Sequence, residues 1–396
     1  MRSMISRRTV VQMAGGLAGA LAGGTRARAT DGDPIQLIQA SADNYYRQAL
    51  DNHHANVGVV VGVVTSDNAA SNGQILYAGR ETLTNPFGKH LALDQHTPFE
   101  IGSTSKVFTS GIHYMLHGPY AGTLGSWLGS RMTMSPAVAA ISLENLAVYQ
   151  PGLAQDNQGG VYPPKMMASL KNLFGYMAKF TPPYRQGTCY AYSNIGWALL
   201  SMASLRLDSL DTQEFARMYN EKLARFCGGF SATHTRVFHP GVKPHLPMGY
   251  RKNFAPLPPK SDYHPSHEAG YGSGGIVSNG ADMMRYLLHN MGRLPGGLTD
   301  PALAYQQTET FHAGPCSGNG AGPVTSYGWF HAGVETPKGK AVVLNKNGGV
   351  AGFTSWMGFT SWQGTGAPSS HGVFVLSNSP GSTAIGNTAM KFLLRG

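Results

Sequence analysis

The sequence predicts an α/β domain interrupted by a large, mainly helical insertion. Two patterns carry this reading. Runs that read as strands lie near both ends of the chain, and segments with helical spacing, separated by Pro- and Gly-rich loops, fill its middle. No internal repeat is visible. The expected architecture is a mixed antiparallel sheet flanked by helices. Residues 30–120 and 290–396 build the α/β part, 121–289 the helical part, and an active site is expected in the cleft between them.

The elements follow in chain order. Residues 1–29 hold Arg2, Arg7, Arg8, Arg26 and Arg28 and no acid, then a short Gly/Ala-rich apolar stretch, then Ala27-Arg28-Ala29. A basic start, an apolar segment and a small-x-small site have the order of a secretory signal. Arg7-Arg8 with its flanking Ser6 and Thr9-Val10-Val11 resembles a twin-arginine export signal. The expected location is therefore periplasmic or secreted. From Pro34 to Ala49, apolar residues at Ile35, Ile38, Ala42, Tyr45 and Ala49 predict a surface helix. Val57–Thr65 and Gln74–Gly79 predict an antiparallel hairpin, with Ser66-Asp67-Asn68 and Ser71-Asn72-Gly73 as turn chemistry. Gly58 and Gly62 imply that something packs closely on the first strand. Helices are expected over Lys106–Leu116, Leu143–Val148, Leu170–Phe180, Ile195–Arg206, Thr212–Phe226 and Ala281–Gly292. Strands return at Ala341–Lys346, Phe353–Phe359 and Gly372–Ser377, and Ala384–Leu394 is a closing helix.

Composition narrows the function classes. The chain has 396 residues, 42% hydrophobic, with 52 glycines and only 13% charged residues against about 25% in an average domain. It can bury a sizeable core and is not a coiled coil or a disordered chain. The net charge of +10 suggests an anionic partner. Five of the 30 basic residues lie in the leader, and the 25 that remain against 20 acids form no basic run. Nucleic acid is therefore not expected as a partner. Beyond the leader, no stretch approaches the ~18 apolar residues of a membrane helix. Three cysteines, Cys189, Cys227 and Cys316, do not suggest a disulfide framework. One disulfide stays open without an assignment, and Cys189 reads as a small buried core residue.

The chemistry starts at Ser103-Thr104-Ser105-Lys106. On a helix, residues three apart share a face, so Lys106 can reach the Ser103 hydroxyl. Serine is a weak nucleophile without an adjacent base. A lysine whose pKa is lowered by burial and a second cation can serve. Chance produces about one S-x-x-K among 13 lysines, and helix capping by Ser103 is the bland alternative. Two later elements change the balance. Tyr192-Ser193-Asn194 supplies a tyrosine which, near two lysines, can have a lowered pKa and act as acid or base, and an amide that can orient Lys106 and a substrate carbonyl. Lys346-Asn347-Gly348-Gly349 supplies the second cation at the end of a strand. Its two glycines let a substrate backbone approach the strand edge. The N–H groups of Ser103 and Gly349 could form an oxyanion hole.

The three elements in this order resemble the serine β-lactamase and penicillin-binding family, in its class C branch, where the middle motif begins with Tyr. Phe99 through Ser103, Ile141 through Leu146 with Gly152-Leu153, Gly272 through Ser278 with Asp282 through Arg285, and Lys346 through Phe353 also resemble recurrent stretches of that family. The resemblance spans most of residues 30–396. AmpC-like β-lactamases and AmpH-like D-alanyl-D-alanine carboxypeptidase/endopeptidases look most similar. It implies the β-lactamase/transpeptidase-like fold and an acyl-enzyme formed on Ser103. Lys106 and Tyr192 would move protons, Tyr192 later activating the deacylating water. Asn194 would position substrate, and Lys346 would tune Tyr192 and attract a substrate carboxylate. No cofactor and no metal are implied. The substrate would be a small β-lactam or a peptidoglycan-derived peptide, with the cell wall as a candidate partner and no oligomeric state indicated.

Two departures stand out. Asn347 replaces the Thr that usually helps hold the substrate carboxylate. Tyr149-Gln150-Pro151 replaces the family's His-Thr-Ser, a change expected to alter a loop rather than the chemistry. Other signals carry less. The 15 histidines include no H-E-x-x-H, and His53-His54 has no ligand partner at useful spacing. No clear strand feeds Gly270–Gly275, against a phosphate loop, and no Gly-x-Ser-x-Gly surrounds Ser103, against an α/β-hydrolase elbow. Two alternatives to β-lactam or D-Ala-D-Ala hydrolysis stay in view. One is an esterase or other amidase on the same fold. The other is a penicillin- or peptidoglycan-binding module without turnover.

Overall fold

The computed structural model describes residues 33–395 except 54, 68–72, 157–160, 164, 227–234, 238–245, 258–267, 309–312, 318–319, 338, 351 and 363–366. The leader expected over 1–29, Cys227 and most of the turn between the first two strands lie outside the described residues. Residues 34–396 form one compact unit.

Seven strands make the main sheet: β1 (Gly58–Val64), β2 (Gln74–Gly79), β3 (Val324–Thr325), β4 (Phe330–Thr336), β5 (Gly339–Val350), β6 (Phe353–Thr360) and β7 (Gly372–Ser377). Their spatial order is β2-β1-β7-β6-β5-β4-β3, with every neighbouring pair antiparallel. The hairpin expected from the first two runs is therefore present, and the strands at the C-terminal end of the chain complete the sheet. Both faces of β1 are covered, so its sequence reads as a continuous apolar run rather than an alternation. Val59, Val61 and Val63 pack with Ile38, Ala42, Ile385 and Met390 of the terminal helices α1 (Pro34–His53) and α5 (Ser382–Leu393). Val60 and Val64 face the other core with Leu344, Phe359, Phe374 and Leu376. The close approach implied by Gly62 is to β7: a Cβ there would lie 1.9 Å from the Phe374 ring.

The second core is the larger one, and the helical segments build most of it. The central helix α2 (Ser105–His117) is buried from Ser105 through His113. α3 (Asn194–Ser204) is buried over all but its first residue, and α4 (Gly280–Asn290) packs against β1 and β7. The helices expected over Leu143–Val148, Leu170–Phe180 and Thr212–Phe226 appear as Leu143–Ala147, Leu170–Met177 and Thr212–Arg225. Four observations differ from expectation. Neither β3, two residues long, nor β4, whose half-exposed Phe-His-Ala-Gly-Val-Glu-Thr lacks a β-branched run, is predicted by the sequence. Lys346-Asn347-Gly348-Gly349 does not end a strand but lies within β5, which runs on to Val350 because β6 pairs with it residue for residue. Cys189 is not a core residue: it is partly exposed and disulfide-bonded to Cys316, with Cα atoms 4.9 Å apart across 127 residues of chain.

Candidate active site

Ser103 sits in a 3₁₀ turn, Gly102–Thr104, that runs directly into α2. Long-range contacts fix the turn. The Ile101 N–H donates to the Ile276 carbonyl (3.0 Å), and the Ile276 N–H donates to Ser105 Oγ (3.1 Å). On the sheet side, Ser355 Oγ of β6 donates to the Ile101 carbonyl (2.7 Å) and bonds Thr104 Oγ1 (2.7 Å). Gly102 has φ +50°, and a Cβ there would lie 2.6 Å from the Gly349 nitrogen. Only glycine permits that conformation and that approach at once. The backbones of Ser103 and Gly349 are thereby brought to one place, as an oxyanion pocket needs. Ser103 is partly accessible, and its side chain caps no helix.

Lys106 is fully buried. Its Nζ has three close partners: Asn194 Oδ1 at 2.7 Å, the Ser273 carbonyl at 2.5 Å and Ser103 Oγ at 3.1 Å. The first two can only accept. A neutral amine has two hydrogens and one lone pair, so with both hydrogens used its lone pair faces the Ser103 hydroxyl. Burial pulls the Lys106 pKa well below the usual lysine range, Lys346 pulls it down further, and Asp156 opposes them. The electrostatics favour, and the geometry permits, a neutral amine that can accept the Ser103 proton.

Tyr192 lies between the two lysines, its ring centroid 4.9 Å from Lys106 Nζ and 5.4 Å from Lys346 Nζ. Its side chain is hydrogen-bonded to that of Ser103. The lowered tyrosine pKa expected from two neighbouring cations does not hold. Burial raises it above the usual phenol range and outweighs the Ser103 hydrogen bond. Tyr192 is thus a protonated donor at neutral pH. Lys346, also fully buried, is pulled down to about 7 by burial. Its Nζ donates to the Asn347 carbonyl (2.7 Å) and to Asn347 Oδ1 (3.4 Å), and it lies 5.2 Å from the Phe330 ring centroid. Asn347 itself is exposed, and with its amide oxygen toward Lys346 it presents the NH₂ as a donor.

The two glycines of this motif differ. A Cβ on Gly348 would lie 1.9 Å from the Ile101 carbonyl oxygen, so its smallness serves the protein's own Ser103 turn, not a substrate. Gly349 is exposed, with no contact nearer than 3.9 Å to such a Cβ, and keeps the room expected for a substrate backbone.

Sequence reasoning missed three contributors. Ser273 acts through its carbonyl, which no side-chain pattern reports. Asp156 accepts from the backbone of the Tyr192 motif. Tyr149, at one of the two departures from the family pattern, is fully buried with φ 62° and stacks on Tyr192 (5.5 Å between centroids, 20° between planes), while its hydroxyl donates to the Gly328 carbonyl (2.9 Å). That departure reaches the site rather than only a loop. Tyr149→Phe keeps the stack but leaves the Gly328 carbonyl without this donor. It should cost about 1–2 kcal/mol in urea unfolding with kcat changed less than about threefold; a larger kcat loss would mean that the hydroxyl also sets the Tyr192 ring.

The fold is that of a serine-hydrolase scaffold, here with a Ser-x-x-Lys helix set against a lysine-bearing strand. The chain belongs to the beta-lactamase family, whose model matches residues 42–393. Among solved structures it is similar to a class C beta-lactamase in complex with cefoxitin (18% identity, 91% of this chain and 98% of that one, TM-score 0.66). It is also similar to the D-alanine carboxypeptidase AmpC from Burkholderia cenocepacia (20%, 91% and 99%, 0.63), and to a beta-lactamase/D-alanine carboxypeptidase from Yersinia pestis (19%, 91% and 98%, 0.63). At these identities the likeness establishes the fold. No curated protein matches the chain.

Proposed function

We propose that the protein is an exported serine hydrolase that forms an acyl-enzyme on Ser103 and hydrolyses the amide bond of a β-lactam or of a D-Ala-D-Ala peptide. The observation that carries the chemistry is the Lys106 amine 3.1 Å from Ser103 Oγ, with its other hydrogens on obligate acceptors. Ser103 Oγ attacks the carbonyl as its proton passes to Lys106. The N–H groups of Ser103 and Gly349 stabilise the oxyanion, and Tyr192 donates to the leaving nitrogen. Water then cleaves the ester with the same groups returning the protons. Export is supported by the basic, acid-free leader and by a disulfide of the kind that persists in oxidising compartments.

The test is the intact mass of the protein, followed over time with a penicillin, a cephalosporin and a D-Ala-D-Ala peptide, beside Ser103→Ala. An adduct that needs Ser103 is expected. Rapid recovery identifies a lactamase, and a persistent adduct a penicillin-inhibited peptidase. Reversible binding indifferent to Ser103→Ala would replace this reading with a binding module.

Asn347 favours a second reading, an esterase or other amidase. An amide in place of a hydroxyl changes the reach of the donor beside Lys346. Turnover of a short-chain ester without penicillin labelling would select it. Asn347→Thr is expected to raise kcat/KM for β-lactam acylation several-fold; an unchanged or lower value would remove the carboxylate argument. Lys346 supplies a pH test. Its ammonium is present below about pH 7 and lost above it. For a substrate that carries a carboxylate, kcat/KM should therefore fall as pH rises through about 7, because that ratio reports the free enzyme. A neutral ester should show no such limb; the same limb for both would assign it elsewhere.

A further inference from the structure

Outside the residues already given roles, one acid is built into the site. Asp156 follows Gly152-Leu153, and its backbone N–H donates to the Tyr192 carbonyl (3.0 Å). Its Oδ1 accepts from the Asn194 N–H (2.7 Å), and its Oδ2 accepts from the Ile195 N–H (3.0 Å) and the Ser193 hydroxyl (3.4 Å). Ser193 Oγ meanwhile accepts from the Gly196 N–H (3.1 Å). Main chain and carboxylate of one residue thus bind all three members of the Tyr192-Ser193-Asn194 turn and the first donors of α3. Two of those members touch the reacting groups: Asn194 holds Lys106, and Tyr192 holds Ser103. We infer that Asp156 is a positioning residue of this site, locking the turn that carries Tyr192 and Asn194 and holding its carboxylate one residue away from Lys106, across Asn194. The inference rests on the acyl-enzyme reading above.

The groups facing Lys106 can be taken element by element. Lys346 comes from β5, Tyr192 from the segment before α3, Asp156 from its loop, and a neutral carbonyl from Ser273. Tyr190 adds its field to Tyr192, and Tyr162 lies beside Asp156. Among the charged groups of this set, the Asp156 carboxylate is the one that favours the ammonium form of Lys106. Burial raises the Asp156 carboxyl above its usual range, against the Asn194 and Ile195 amides and Lys106, which hold it down. The sign of the consequence follows. Removing the negative charge lowers the Lys106 pKa, so the neutral amine that Ser103 needs appears at lower pH.

The experiment measures labelling of Ser103 by an alkyl fluorophosphonate as a function of pH. In this reaction the Ser103 O–P bond forms, fluoride leaves, and the hydroxyl proton goes to Lys106. The probe needs no β-lactam or peptide specificity. Labelling of the wild type without turnover of any proposed substrate would sink the substrate reading and leave Asp156 testable; no labelling at all would sink both. For Asp156→Asn the plateau rate should fall about tenfold to a hundredfold through misplacement, and the acid limb should move to lower pH. Asp156→Glu should restore the limb. A lowered plateau with an unmoved limb would reduce Asp156 to a helix cap and overturn its electrostatic part. An unchanged profile would overturn the inference whole. Should Asp156→Asn fail to fold, Asp156→Ser keeps a capping oxygen without charge and carries the same comparison.

Discussion

Replacing Lys106 by methionine is expected to slow acylation of Ser103 by about 10²–10⁴-fold, the usual worth of a positioned general base. The fold predicts this loss more firmly than the motif does. Two lysines are fully buried around one tyrosine ring, and two ammonium groups in that volume would repel each other without water to screen them. Burial and this repulsion both push the pKa of Lys106, the lysine beside the nucleophile, downward and so favour its neutral amine. Methionine matches the length of the side chain and removes both the lone pair and the buried amine. Asn194 Oδ1 and the Ser273 carbonyl lose a donor, at about 1–3 kcal/mol each. The desolvation of the amine is relieved at the same time, so the thermal midpoint should move little. Stopped-flow acylation and a melting curve on one preparation check both statements. Acylation within threefold of wild type would hand the base to another group. Tyr192 is poorly suited, since burial keeps it a phenol.

What the sequence disclosed and what it hid divide along physical lines. Ser103 and Lys106 are legible because their contact is local, three residues apart on one helix. The strands β1 and β7 are legible because both faces are buried and their residues are almost all apolar, while β2, half-exposed, is legible from the turn residues that precede it and its pairing with β1. β5 reads as shorter than it is, since Asn347-Gly348-Gly349 has poor strand propensity. Pairing with β6 overrides it, and Gly348 must be small to let Ile101 past. Asp156 was silent because its partners are backbone amides of a distant turn. The role of Tyr149 is illegible because a bulky residue at φ 62° cannot be foreseen from its neighbours. The direction of the Tyr192 pKa is hidden from the sequence because nearby cations can be counted there while the burial that outweighs them cannot.

The largest expected effect on stability comes from the residue the sequence misled about most. Cys189→Ser should lower unfolding free energy by about 2–5 kcal/mol, because the bond to Cys316 closes a loop of 127 residues in the unfolded chain. Dithiothreitol should reproduce the shift in wild type and leave the variant unchanged. The bond joins two segments that also exchange backbone hydrogen bonds, from the Tyr190 N–H to the Gly314 carbonyl (2.8 Å) and from the Cys316 N–H to the Tyr190 carbonyl (2.9 Å). Tyr192 follows two residues later. The disulfide therefore anchors the approach to the Tyr192 turn from one side while Asp156 holds it from the other. Reduction should lower kcat as well as the melting midpoint, with the kcat loss visible at temperatures where the protein is still folded. Thiol counting under denaturing conditions, before and after reduction, verifies the bond itself. A variant that melts with wild type would show that the backbone ladder alone holds these segments. An unchanged kcat in a destabilised variant would confine the disulfide to stability and leave Asp156 as the anchor of the turn.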